Sequence, residues 1–269
     1  MLIRSLLIHH KGTQVRRKIF LDAMGLVLLL LGATCLSAEE LKIGVNFSIP
    51  PYVLTESNSG LELEILQEAL RVKGHTISIE YLPLARTFLE FEQGEVDCIM
   101  NVQQGALSIG FYSDVAITFQ NVAISLAKQH LSIQQISDLL EKDVVAFQKA
   151  STLLDAEFGR LMEGNAQYRE VADQIVQLVL LFKERTDVIV MDLNIFNYFR
   201  KQAQKLQRLT DAELNEPVTV HQIFPPTAYR FAFRTERQRD DFNAGLAAIQ
   251  ANGVYAQLFK KYESLLILP

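Results

Sequence analysis

Apolar positions recur at two different periods along this chain, and they switch between them. Residues 41–47, LKIGVNF, form an apolar run that predicts a buried strand. Residues 61–72 place Leu61, Ile65, Leu66 and Leu70 on one helical face, and Gly74 ends that helix. In residues 76–82, Ile77, Ile79 and Tyr81 alternate with Ser78 and Glu80, the pattern of a strand with one apolar face. Residues 86–93 predict a second helix, stopped by Gly94, and residues 96–100 a third strand. Together they predict a β-α-β-α-β unit with right-handed crossovers. The second half repeats the alternation. It predicts a helix over 133–141, a strand over 144–148 and a helix from Ser151 or Thr152 to about residue 162. A helix over 172–184, a strand over 187–191 and a helix over 193–204 follow. Between the halves, residues 115–128 are largely apolar and β-branched. Near the end, Tyr229, Phe231 and Phe233 alternate in TAYRFAFRT, a further strand. Thr235 and Gln238 make a capping box for a helix that buries Phe242, Leu246 and Ile249. Gly253 breaks it, and VYAQLFKKYE predicts the last helix. Strands alternating with helices throughout indicate an α/β fold.

The first 38 residues differ from the rest. Arg4, Lys11, Arg16, Arg17 and Lys18 precede the apolar core AMGLVLLLL, and small residues lead to Ala38. This order predicts a signal peptide cleaved near Ala38 and a periplasmic mature chain. The apolar core is shorter than the ~20 residues a membrane span needs. Overall, 26 Lys plus Arg stand against 31 Asp plus Glu, for a net charge of −5. Five of the basic residues belong to the leader, so the remainder is more acidic still. A nucleic-acid partner, whose footprint is basic, is not expected.

Cysteine and histidine supply no obvious chemistry. Outside the leader Cys98 stands alone, within the apolar run VDCIM, so a buried inert thiol is expected. His75, His130 and His221 are scattered and read as surface or loop residues. No zinc-ligand spacing and no cofactor motif occurs, so no cofactor is expected. Two short segments echo each other, FEQGEVDCIM and FKERTDVIVMD, each a helix end, a turn, an Asp and an apolar strand. They suggest two lobes built alike.

Four segments carry a resemblance to a known family. LKIGVNFSIPPYV resembles the first strand and aromatic-ended loop of the bacterial extracellular solute-binding proteins of family 3, which serve amino-acid ABC transporters. GEVDCIM resembles their Gly-x-x-Asp-apolar strand, TDVIVMD the matching strand of their second lobe, and NGVYAQLFKKYE their closing helix. Pro83 to Arg86, PLAR, resembles a Pro-x-x-Arg of a divergent branch. The resemblance spans residues 40–263. It implies a two-lobed periplasmic-binding-protein-like fold (type II), with ligand held in a cleft between lobes joined by two crossing strands. The crossings would lie near residues 121–127 and 221–230. Residues 39–126 and 224–269 would form lobe 1, and 127–223 lobe 2. The implied partners are a small-molecule ligand and an inner-membrane ABC permease or sensor, with the chain a monomer.

Seven residues are candidates to hold that ligand. Tyr52 follows Pro50 and Pro51, whose fixed φ would aim its ring, and it reads equally as a ligand platform or as core. By resemblance, Asp192 meets a ligand's amino group through a charge-assisted hydrogen bond, and as the residue before LNIFNYF it could also cap a helix. Ser151 and Thr152 stand where the family has a Gly-Thr-Thr-like turn, with Lys149 replacing the Gly. Backbone N–H groups there favour an anion, and a plain helix cap is the other reading. Asn101 and Gln103 follow the third strand and could bond a polar ligand or face water. The family clamps an α-carboxylate with an Arg after this strand, yet NVQQGALSIGFYSD contains neither Arg nor Lys. Arg86 could supply the charge, or be a surface residue at a helix start. The resemblance therefore points to a binder of a small polar, amino-acid-like or amine-containing ligand and not to an enzyme. The alternatives are a dehydratase-like periplasmic enzyme, with Glu64, Asp97 or Asp192 as acid or base, and a degenerate interaction module.

Overall fold

The computed structural model describes residues 38–266 except Ser48 and Gln204. The expected signal peptide, Ala38 apart, lies outside the described residues. The described residues belong to one compact unit.

The described strands form two sheets. In the first, β1 (Glu40–Asn46) lies between β2 (Thr76–Leu82) and β3 (Cys98–Val102) and runs parallel to both. The connections are α1 (Leu61–Arg71) and α2 (Leu84–Gln93), as helical crossovers between parallel strands require. β4 (Phe111–Tyr112) and β5 (Ile117–Phe119) both pair with β11 (Thr227–Phe233), which runs antiparallel beside β3. The second sheet has the order β10-β6-β9-β7-β8. Its strands are β6 (Asn121–Leu126), β7 (Val144–Phe147), β8 (Tyr168–Val171), β9 (Val188–Asp192) and β10 (Val218–His221). Around it lie α3 (Ala150–Leu153), α4 (Ala156–Met162), α5 (Ile175–Phe182), α6 (Leu193–Gln202) and α7 (Asp211–Leu214). The chain closes on the first sheet with α8 (Glu236–Ala251) and α9 (Val254–Tyr262).

The chain passes between the sheets twice. The first passage is Gln120, between β5 and β6; the second is residues 222–226, between β10 and β11. The expected boundary at residue 126 differs from this. All six residues of β6 are buried, and the strand pairs with both β9 and β10 inside the second sheet. A continuous apolar run suits such a strand, covered on both faces.

Other departures have local causes. Residues 133–141 yield only a 3-10 turn, Ile136–Leu139, because the Asp138 carboxylate accepts from the backbone N–H groups of Gln134 and Gln135 and holds a tight turn. The helix expected from residue 151 to 162 is broken at Leu154, and Asp155 restarts it by capping Glu157 N–H. His75 and His221 are buried and not at the surface. His75 accepts from Glu39 N–H at 3.1 Å and meets Asp241 at 3.1 Å, and His221 meets Ser125 at 2.9 Å.

The first-lobe core depends on a close helix contact. Gly245 of α8 lies against the backbone of Ala69 in α1, where an added Cβ would overlap the Ala69 carbonyl. Leu246, Phe242 and Ile249 follow this contact into the core shared with Leu66 and Leu70. Gly245→Ala forces the helices apart and is expected to cost about 1–3 kcal/mol, as overpacking typically does. Denaturant unfolding checks this: the midpoint should fall with the slope unchanged.

Candidate functional site

The site begins in the loop between β1 and α1. The first amides of a helix have no partner within it, and here the loop carbonyls supply them. Leu61 N–H donates to Pro51 C=O at 3.3 Å and Glu62 N–H to Tyr52 C=O at 3.0 Å. Gly60, at φ +124°, permits this approach, since a Cβ there would overlap the Tyr52 carbonyl. The loop is therefore fixed to the helix, and Tyr52 is aimed across the molecule. Its ring stacks on Phe119 with centroids 3.8 Å apart and planes 14° apart. Its hydroxyl donates to Asp192 Oδ1 at 3.1 Å and accepts from Asn194 Nδ2 at 3.0 Å. Tyr52 belongs to the first lobe, and Asp192 and Asn194 to the second.

Asp192 ends β9 and is 1% exposed. Its Oδ1 accepts from Asn194 N–H at 2.9 Å and Ile195 N–H at 3.1 Å, so it caps α6. Its Oδ2 accepts from Gln120 N–H at 2.9 Å, at the first passage between sheets. Burial pushes this carboxyl up to about 6, with the bonds from Ile195, Tyr52, Gln120 and Asn194 pulling the other way. Asn101, the penultimate residue of β3, has a left-handed conformation, φ +60°, which Asn tolerates better than most residues. Its Nδ2 donates to Glu62 Oε2 at 2.7 Å. Glu62 is fully buried in the first turn of α1, and burial pushes its carboxyl up to about 8, against the Asn101 bond.

These groups meet at a cavity where the lobes face each other. Its polar lining is Asn46, Asn101, Asn121, Gln174 and Asp192; its apolar lining includes Ile49, Leu84, Phe119, Phe147, Leu153, Ile195 and Tyr229. No Lys or Arg is among the lining residues. About 20 Å³ is open to the centre of a water molecule, room for roughly one water.

No known family's sequence profile matches the chain, and no curated protein is detectably similar in sequence. Solved structures are similar. A histidine kinase sensor domain with similarity to periplasmic binding proteins aligns with a TM-score of 0.70 at 15% identity, over 83% of this chain and 95% of that one. An ancestral arginine-binding protein bound to arginine aligns at 0.68 and 17% identity, over 83% and 97%. An ancestral amino acid-binding protein, a precursor of cyclohexadienyl dehydratase, aligns at 0.65 and 17%, over 83% and 95%. The fold is that of the two-lobed periplasmic binding proteins.

Within this binding-protein fold the seven candidate residues separate. Asn101 and Asp192 line the cavity. Tyr52 is buried beside it, stacked on the lining Phe119. Gln103 is not among the lining residues, and its Nε2 donates across the cleft to the carbonyl of the lining residue Leu153. Arg86 is half-exposed and paired with Glu90 one turn along α2, so it does not reach the cavity. Thr152 is exposed and Ser151 faces away from the cleft cavity. The Glu170 side chain occupies the turn at Ser151. Its carboxylate accepts from Lys149 N–H at 2.6 Å, Ser151 N–H at 2.9 Å, Ser151 Oγ at 2.7 Å and Tyr168 OH at 2.7 Å. The anion expected at this turn is thus the chain's own.

Sequence reasoning missed Asn46, Asn121, Gln174, Tyr229 and Glu62. Glu62 had a legible signal, because it precedes the buried Leu66 and Ala69 at helical spacing and so falls on an apolar stripe.

Glu62 and Asp192 are both harder to ionise in the folded protein than in the unfolded chain. Their contribution to stability is full below about pH 4 and is lost as pH rises through about 6 for Asp192 and about 8 for Glu62. Melting temperature should therefore fall from about pH 7 to about pH 9, and Glu62→Gln should flatten that slope. Melting curves across this range check it; a variant as steep as the parent would remove Glu62 as the cause.

Proposed function

We propose that the chain is an exported solute-binding protein that captures a small amine-bearing ligand between its lobes and serves an inner-membrane ABC permease or a sensor. The observation that supports this is the charge of the cavity. Its lining holds one carboxylate, Asp192, several amide side chains and no cation. An ammonium group satisfies that carboxylate by a charge-assisted bond in a water-poor place. An α-carboxylate finds no partner of opposite charge, since Arg86 is on the surface and the Ser151 turn is filled by Glu170. An amine without an α-carboxylate fits best.

The passages at Gln120 and residues 222–226 would act as the hinge. Contacts that opening breaks lie along the cleft. Ala85 N–H donates to Gln148 Oε1 at 2.8 Å, and Lys149 Nζ stands 4.6 Å from the centre of the Phe88 ring. A ligand larger than water enters only if the lobes part or Tyr52 moves. That the cleft is filled by Tyr52 and Phe119 favours a second reading, an interaction module that holds no small ligand.

A thermal-shift screen of residues 39–269 against amino acids, polyamines, small carboxylates and sugars separates the two. Polyamines and related amines should raise the melting temperature, by about 2.7 kcal/mol of stabilisation at a hundred times Kd. Asp192→Asn keeps an oxygen to cap α6 but removes the charge, and should weaken amine binding about tenfold or more. A shift confined to carboxylates or sugars sinks the amine reading, and no shift from any class supports the interaction module.

A further inference from the structure

Asn101 lines the cavity with its side chain, and only half of that side chain has a partner. The nitrogen donates to Glu62 Oε2 at 2.7 Å, while the oxygen, Oδ1, is buried and accepts nothing from the protein. Asn101 is 5% exposed, so the oxygen is shielded from bulk water. A buried acceptor without a donor is costly, and a group that donates to it from the cavity relieves that cost.

Glu62 is what fixes this arrangement. It lies behind Asn101 with no exposed surface, and its N–H is held by the Tyr52 carbonyl at 3.0 Å. Its second oxygen, Oε1, is also buried and accepts nothing from the protein, so the bond from Asn101 is the side-chain hydrogen bond to the carboxyl. The Asn101 backbone is held in the left-handed region near the end of β3. Both ends of the Asn101–Glu62 bond are thus anchored, one on β3 and the other on the first turn of α1.

We propose that Glu62 is a specificity-determining positioning residue: by binding the Asn101 nitrogen it turns the Asn101 oxygen toward the cavity, so the first lobe selects a ligand that donates a hydrogen bond there. Asp192 supplies a second acceptor from the opposite lobe. A ligand with donors at both ends, such as a diamine, satisfies the two acceptors at once and bridges the lobes. The inference rests on the reading of the cavity as the ligand site, and it extends that reading to a residue outside the lining.

The test uses putrescine as the probe and two substitutions. Glu62→Met removes the acceptor while filling similar volume, and Glu62→Gln keeps an oxygen facing Asn101. Isothermal titration should show putrescine weakened about tenfold by Glu62→Met and restored to within about twofold by Glu62→Gln. A second readout needs no ligand. The Asn101 side-chain NH₂ protons, observed by ¹⁵N–¹H NMR, should exchange slowly in the unsubstituted protein and in Glu62→Gln, and rapidly in Glu62→Met. Equal putrescine affinity in all three proteins overturns the proposal, as does an Asn101 NH₂ signal indifferent to Glu62→Met. If the unsubstituted protein binds no putrescine, the amine reading fails and the NH₂ exchange alone decides the role of Glu62. If Glu62→Met does not fold, rapid exchange of the Asn101 NH₂ in the unsubstituted protein overturns it.

Discussion

The buried carboxylate of Asp192 is the point where the two lobes and the chain passage between them are fastened together. It caps α6, holds the backbone of Gln120 and receives the hydroxyl of Tyr52 from the other lobe. An ionised carboxylate taken out of water is costly unless several donors surround it. Here three backbone N–H groups and one phenol do so, and three of the four donors come from the same lobe or from the passage. The Tyr52 hydroxyl is the one donor of the four that reaches Asp192 from the other lobe.

The treatment of negative charge elsewhere follows the same logic. At the Ser151 turn, free N–H groups could have received a ligand's carboxylate, and Glu170 from the adjacent β8 fills them. Tyr168, two residues away on the same strand, donates to the same oxygen and closes the site further. Lys149 adopts the left-handed conformation that a glycine commonly takes, and its amine lies over Phe88 instead of near the cavity. Arg86 bonds along its own helix. Arg86 and Lys149 are both engaged outside the cavity. The cavity lining is left with amide side chains and a single carboxylate.

The strand and helix pattern was largely readable from hydrophobic periodicity. The strand over 76–82, the helix from Leu61 and the capping box at Thr235 depend on local apolar spacing and local caps, and they stand as expected. What was not readable depends on partners distant in sequence. β8, YREV, has no apolar alternation, and it is a strand because β7 pairs with it. β6 belongs to the second sheet because β9 and β10 flank it, which an apolar run alone does not reveal. The site divides in the same way. Asp192 was visible as a strand-ending acid before a helix. The self-occupation by Glu170 was not, because it joins residues 19 and 21 apart in the chain through a turn of β8 onto α3.

The position of Tyr52 sets what a ligand must do. Its ring covers Phe119 and its hydroxyl bonds Asp192, the two features that an amine-bearing ligand would use. The Tyr52 hydroxyl bonds an ionised carboxylate, so its bond and one from an ammonium both fall in the class of hydrogen bonds to charged groups, about 1.5–3 kcal/mol net. The exchange of Tyr52 for an ammonium at Asp192 is therefore close to balanced on hydrogen bonding alone. A ligand that reaches Asp192 alone gains little over the tyrosine it displaces. One that also donates to the unpartnered oxygen of Asn101 gains a second bond with no internal competitor. On the proposed reading of the cavity, selectivity resides less in the conspicuous charge than in the neutral acceptor facing it.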